Sequence, residues 1–219
     1  GIAVNALGHC HPSLVKALKR QASKLWHVSN LYNVTELEKC AKKITTAYKK
    51  DYVFFCNSGA EAVECAIKTM RRHFFVSGKP EKNRIITFKG AFHGRTIATI
   101  SAAGKDKYYA GFEPLLPGFD NVEFGNIEAV ENAITKNTAG VLIEPIQGEE
   151  GIKVPSKKFI QDLRKLTTRH GILLAFDEVQ CGMGRTGNLG ACEYFGVTPD
   201  IISLAKAIGG GFPLGACLS

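Results

Sequence analysis

Short apolar runs recur along this chain about one helix apart, at 52–56, 84–88, near Val122, at 140–143, 172–176 and 201–203. Runs of this length are strands, and strands separated by whole helices are joined by crossovers rather than tight hairpins. The pattern therefore predicts an α/β unit, with a mainly parallel sheet flanked by helices. The intervening segments carry helical spacing. Leu14, Val15, Leu18, Ala22 and Leu25 follow Pro12, a good opening residue. A loop at 27–33 leads to Thr35, read as a cap with Glu38 three residues on, and a helix to about Tyr48. Further helices are predicted at 60–75, with Ala62, Val63, Ala66, Ile67 and Met70 inward, near 96–101, at 127–134 and at 158–169. The stretch 104–118 is the least regular, and long loops of that kind are often functional.

Composition narrows the class. With 219 residues, 45% hydrophobic and 22% charged, the chain can bury a core of ordinary size. Its longest apolar run, Ile172 to Phe176, suits a buried strand and is far too short for a membrane span. The net charge of +8 is spread over Lys16, Lys19, Lys42, Lys49 and Lys157, on the polar sides of helices. A nucleic-acid surface would cluster its cations among exposed aromatics, so neither nucleic acid nor membrane is an expected partner. None of the 7 cysteines forms a CxxC pair, and no export signal is seen, which points to a reduced, cytoplasmic setting. His9, His11, His27 and His170 show no metal-binding spacing, so no metal is expected. Gly1 to Asn5 reads as the middle of a longer sequence and the chain ends inside an apparent strand, the expectation for a fragment.

Polar residues then break the pattern at strand ends. Asp177 directly follows an apolar run, where open α/β sheets bind ligands, although a helix cap or loop ion pair would look the same. Lys206 follows 201–205 and precedes a glycine run. One amine and one carboxylate at neighbouring strand ends suit a Schiff-base lysine and an acid facing a pyridine nitrogen. Asn57-Ser58-Gly59-Ala60 joins a strand to a helix, where free N–H groups and a hydroxyl suit a phosphate. It has neither the GxGxxG spacing of a dinucleotide site nor the Gly-Lys-Ser/Thr of a triphosphate loop. In Phe92-His93-Gly94-Arg95-Thr96, a ring able to stack on a heterocycle stands beside a forked cation suited to a carboxylate. A buried Phe and a surface Arg are the plainer alternative.

In order and spacing these blocks, with 1–12, 107–119, 143–149 (Ile-Glu-Pro-Ile-Gln-Gly-Glu), Asp177-Glu178-Val179-Gln180 and Gly184-Arg185-Thr186-Gly187, resemble the class III, pyridoxal-phosphate-dependent aminotransferases over essentially the whole chain. The resemblance implies a transferase of fold type I. Residues 1–30 would belong to the N-terminal segment and 31–219 to most of the large cofactor-binding domain, with the small C-terminal domain lying outside. It implies pyridoxal 5'-phosphate held covalently by Lys206, with Asp177 at the pyridine nitrogen and Val179 and Phe92 on the two ring faces. Gln180 would reach the ring oxygen, Ser58, Gly59 and Ala60 the phosphate, and Glu178 would also count among the cofactor contacts. Arg95 would receive the α-carboxylate of a small-molecule amine donor, with Glu149 and Tyr32 as further substrate-binding residues and 2-oxoglutarate as acceptor. A homodimer with sites at the subunit interface is implied as well. His93 weighs against the subgroup that carries Trp there. The rival from another class is a non-catalytic structural or nucleic-acid-binding domain.

One departure stands out: the family's usual Gln-Gly-Glu-Gly-Gly reads Gln147-Gly148-Glu149-Glu150-Gly151. A left-handed backbone at the second glycine position would strain Glu150, whereas a different local turn would remove the cost.

Overall fold

The computed structural model describes residues 1–29 and 31–219; Asn30, within the loop expected at 27–33, lies outside the described residues. In chain order the elements begin with α1 (Pro12–Ala22), α2 (Thr35–Tyr48), β1 (Val53–Cys56), α3 (Gly59–Val76) and β2 (Arg84–Phe88). Next come α4 (Ile97–Ala103), α5 (Asp106–Tyr109), β3 (Phe119–Val122), α6 (Ile127–Ala133) and β4 (Thr138–Ile143). The chain continues through α7 (Lys157–Arg169), β5 (Leu173–Asp177), α8 (Ala191–Phe195), β6 (Ile201–Leu204), a 3-10 turn (Lys206–Gly209) and β7 (Gly215–Leu218).

The strands form one seven-stranded sheet in the order β1-β7-β6-β5-β4-β2-β3. Pairing is parallel from β6 through β3, while β7 runs antiparallel to both β6 and β1. Alternate residues therefore feed two cores. Val141, Ile143, Leu174, Phe176, Ile202 and Leu204 pack toward α2, α6 and α7. Leu142, Ala175 and Ile201 pack toward Val63, Ala66, Ile67 and Met70 of α3 and Ala98 and Ala102 of α4. Every residue of β4 is buried, which is why it reads as a continuous apolar run rather than an alternating one.

The expected elements are present, with shifted ends. Thr35 is the first helical residue and not the cap: Val34 occupies that position without a side-chain hydrogen bond, and Glu36 and Glu38 face the positive end of the helix instead. Thr96, read as helical, caps α4 by accepting from Thr99 N–H. Asp177 closes β5 rather than following it. Two helices of four and five residues, α5 and α8, were not legible in the sequence. Each is too short to show a period. The parallel order brings the carboxyl ends of β1, β2, β4, β5 and β6 to one rim of the sheet.

Candidate active site

Five connections meet at that rim. β1 hands over to Ser58, whose hydroxyl caps α3 by accepting from Glu61 N–H at 3.2 Å. The N–H groups of Gly59 and Ala60, in the first turn of this 18-residue helix, take no hydrogen-bond partner among the described residues. Such groups carry the positive end of the helix dipole. Gly59 is required here by close packing: a Cβ would lie 2.8 Å from Val179 Cγ1 and 3.3 Å from the Ala205 methyl.

The β2–α4 connection brings in Phe92 and His93. The imidazole is fully enclosed; Nδ1 donates to Asp177 Oδ2 at 2.8 Å, and Nε2 has no partner among the described residues. Asp177 Oδ1 accepts from Val179 N–H at 3.0 Å, so the carboxylate is held at both oxygens. Glu144, directly after β4, is buried and accepts from Phe92 N–H at 2.8 Å. Burial and the nearby charge of Asp177 push its carboxyl up to about 8. Burial alone would lower the His93 pKa, but the hydrogen bond and charge of Asp177, helped by Glu144, raise it overall. Lys206 follows β6 with φ +51, a left-handed conformation that costs a residue other than glycine on the order of 1 kcal/mol or more and that clusters at functional sites.

These groups line a cleft of about 370 Å³ that includes Ser58, Gly59, Phe92, Asp177, Val179 and Lys206. Ala60 and Gln180 border it as well, so the structure brings together eight of the twelve residues singled out in the sequence. The other four lie outside its lining. Arg95 is exposed, its guanidinium 5.5 Å from the Phe92 ring and 4.9 Å from the Tyr108 ring. Glu149 is exposed and accepts from Gln180 Nε2 at 3.2 Å. Tyr32 stands exposed on the loop before α2. Glu178 differs most from its expected contact: its carboxylate is buried and accepts from Ala191 N–H and Cys192 N–H, at 2.8 and 2.7 Å. An acid there satisfies the first N–H groups of α8 and is turned away from the cleft.

The expected strain at Glu150 does not arise. Gly151 and Ile152 take the positive φ angles, +79 and +58, while Glu150 is ion-paired with Lys105 and, at 3.5 Å, with Lys153. The left-handed positions follow Glu150 and do not fall on it.

Two buried polar residues to which the sequence assigned no place in the cleft, His93 and Glu144, also shape the site. Glu144 follows a strand as Asp177 ends one, so the same strand-end logic would have found it. Donor atoms of His93, Glu144 and Asp177 lie within 4.8 Å of one another, near enough to share a cation. The amine and the free helix N–H groups across the cleft match an anionic aromatic group better.

A seven-stranded mixed sheet with an amine, a carboxylate and a helix N-terminus at one rim is the architecture of the fold type I pyridoxal-phosphate transferases. The Aminotransferase class-III family matches residues 1–219, and the chain belongs to it. The acetylornithine aminotransferase of Agrobacterium fabrum is 62% identical over 219 residues, covering 100% of this chain and 55% of that protein. N-acetylornithine aminotransferase from Stenotrophomonas maltophilia K279a has a solved structure that superposes with a TM-score of 0.86 at 42% identity, covering 100% of this chain and 55% of that one. The ornithine aminotransferase from Toxoplasma gondii superposes with a TM-score of 0.94 at 32% identity, covering 99% and 52%, and its crystal structure reveals partial occupancy of PLP at the active site. The chain thus spans about half the length of the relatives it matches.

The cleft fits that cofactor. Two N–H groups without a partner among the described residues suit its phosphate, the fixed carboxylate of Asp177 suits a protonated ring nitrogen, and Lys206 supplies an amine.

Proposed function

We propose that this chain is the cofactor-binding portion of an aminotransferase that moves the δ-amino group of N2-acetyl-L-ornithine to 2-oxoglutarate, a step of arginine biosynthesis. One observation carries the reading: Lys206, the doubly held Asp177 and the open head of α3 border a single cleft. The names of the similar enzymes support the donor.

Lys206 would hold pyridoxal 5'-phosphate covalently, with Ser58, Gly59 and Ala60 at its phosphate, Asp177 at its ring nitrogen, Phe92 and Val179 on its faces and Gln180 at its ring oxygen. When bound, the group supplies an aldehyde that captures amines and a ring that stores the electrons released at the neighbouring carbon. Asp177 keeps the ring nitrogen protonated, and its two hydrogen bonds fix the carboxylate so that no reorganisation is needed during reaction. Phe92 and Val179 keep water from the reacting carbon. The Lys206 Nζ amine would serve as the base that takes up the proton the donor carbon loses and gives it back on the far side of the transferred nitrogen. Arg95 would receive the donor's α-carboxylate, its planar fork suiting two oxygens, with Glu149 and Tyr32 completing that side. Glu178 serves this arrangement indirectly, by anchoring α8 behind the Asp177 strand end.

The whole protein is proposed to work as a cytoplasmic homodimer with sites at the subunit interface. In that reading residues 1–30 lead into the large domain, 31–219 form most of it, and a small domain completes the protein. No described helix is long and apolar enough to cross a membrane. The test is a donor panel on the full-length protein with 2-oxoglutarate as acceptor. N-acetylornithine should give glutamate fastest. Faster turnover of succinyldiaminopimelate, ornithine or 4-aminobutyrate would reassign the donor, and no glutamate from any of them would refute the reading.

A further inference from the structure

The short helix α5 meets the cleft through an aromatic pair. Its Tyr108 ring is buried and stands edge-on to the Phe92 ring at 5.3 Å, and Phe92 lines the cleft. The Arg95 guanidinium lies over both rings, 4.9 Å from Tyr108 and 5.5 Å from Phe92. Tyr108 is therefore part of the platform that orients Arg95. α5 has only four residues, and Lys105, at its N-cap, makes no side-chain cap bond. A helix this short holds its place through tertiary contacts.

Glu150 supplies one of those contacts. Its carboxylate is ion-paired with Lys105, whose ammonium stands 5.6 Å from the Tyr108 ring. The turn that carries Glu150 is itself anchored. Gln147 and Lys153 exchange backbone hydrogen bonds at 3.1 and 3.0 Å, and Gln147 Nε2 donates to the Lys89 carbonyl, just after β2, at 3.0 Å. The Glu150 stem lies against Gly90, where a Cβ would come to 3.0 Å from its Cγ. In the same turn Glu149 accepts from Gln180, which borders the cleft. The glycine usual in the family at position 150 has no side chain to reach Lys105.

We propose that Glu150 is a positioning residue for substrate: by holding Lys105 it fixes Tyr108 against Arg95 and so sets the affinity for the carboxylate of the amine donor. The proposal rests on the donor reading above, in which Arg95 receives that carboxylate. A two-pronged contact from a guanidinium depends on its orientation, so play in α5 weakens donor binding. Lys206 and Asp177 stand on other strand ends, β6 and β5, and their chemistry is untouched. Loss of the tie therefore raises the donor concentration needed for half-saturation and leaves the limiting rate alone.

The experiment uses the full-length, cofactor-loaded protein and the variant Glu150→Gln, which keeps the stem and removes the charge. Hydrogen exchange is measured first, without donor; peptides covering 104–112 should exchange faster in the variant, with the rest of the chain unchanged. The half-reaction with N-acetylornithine is then followed over a range of donor concentrations. Half-saturation should rise about threefold, the size a partly exposed ion pair supports, at an unchanged limiting rate. Lys105→Met should do the same, Lys105→Arg, which keeps the pair, should not, and the Glu150→Gln, Lys105→Met double variant should add nothing further. Unchanged exchange at 104–112 would overturn the tie. Unchanged half-saturation, a fall in the limiting rate alone, or fully additive effects would leave Glu150 a structural role and overturn the proposal. An unmutated protein that N-acetylornithine does not convert would refute the donor reading and this proposal with it; faster exchange in the variant would then show that the tie itself exists and that the donor assignment is what failed.

Discussion

His93 Nδ1 lies 2.8 Å from Asp177 Oδ2, and both side chains are closed off from solvent. The two residues come from different strand ends, β2 and β5, and the contact fixes the direction in which the carboxylate can face. In the proposed reaction His93 is a positioning residue acting through Asp177.

Asp177→Asn keeps the shape but removes the full negative charge. It should lower turnover on the order of 10²–10³-fold, the range seen when one preorganised electrostatic partner is lost, with little change in Tm. His93→Phe alone should lower turnover, yet add little in the Asp177→Asn background, because coupled residues do not add. Near-normal rates in a cofactor-loaded Asp177→Asn protein, or full additivity in the double variant, would count against this arrangement.

Glu144 makes the cofactor-free protein sensitive to alkali. Its folded pKa, about 8, stands above that of an exposed carboxyl, so between those values the folded state binds a proton that the unfolded chain releases. Stability should therefore fall as pH rises from about 5 to about 8, with a slope approaching 1.4 kcal/mol per pH unit where the difference is one proton. The raised His93 pKa acts in the same direction, its contribution being lost as pH climbs through the folded value. Glu144→Gln, which keeps an acceptor for Phe92 N–H, should flatten the profile. Urea denaturation at several pH values checks this, and an unchanged slope in the variant would exclude Glu144 as its source.

How far the sequence disclosed this site depends on how each residue reaches it. Asp177, Lys206 and Ser58 sit at strand ends, and an apolar run broken by a polar residue marks such a place without any structure. The interior strands were legible because burial on both faces leaves continuous apolar runs, as in β4. Glu178 lies outside the cleft that its neighbour Asp177 lines, because residues adjacent at a strand end diverge; only the position of α8 reveals its partners.

Lys206 should be the one lysine bound to the cofactor. Borohydride reduction of the loaded full-length protein, followed by peptide mapping, should place the adduct there, and Lys206→Ala should abolish turnover while its far-ultraviolet spectrum is unchanged. An adduct on another lysine would displace Lys206 from this role.

Glu150→Gly restores the residue usual in the family and removes the ion pairs to Lys105 and Lys153. Because the carboxylate is partly exposed and φ at this position is not left-handed, the change should shift stability by less than about 1 kcal/mol, the range for surface ion pairs. Thermal melts in low and high salt test it: the difference between the two proteins should shrink as salt rises. A difference that salt leaves untouched would assign the effect to the backbone of the turn.

Amine capture and release at the cleft can be followed in a single half-reaction. Full-length, cofactor-loaded protein is mixed with N-acetylornithine in the absence of any keto acid, and the cofactor spectrum and aldehyde product are followed together. About one N-acetylglutamate 5-semialdehyde should form per site with a matching spectral change, as covalent catalysis in two separate stages requires. Addition of 2-oxoglutarate should then restore the starting spectrum and release one glutamate. A spectrum that N-acetylornithine leaves unchanged, with no aldehyde formed, would contradict amine capture at the cleft.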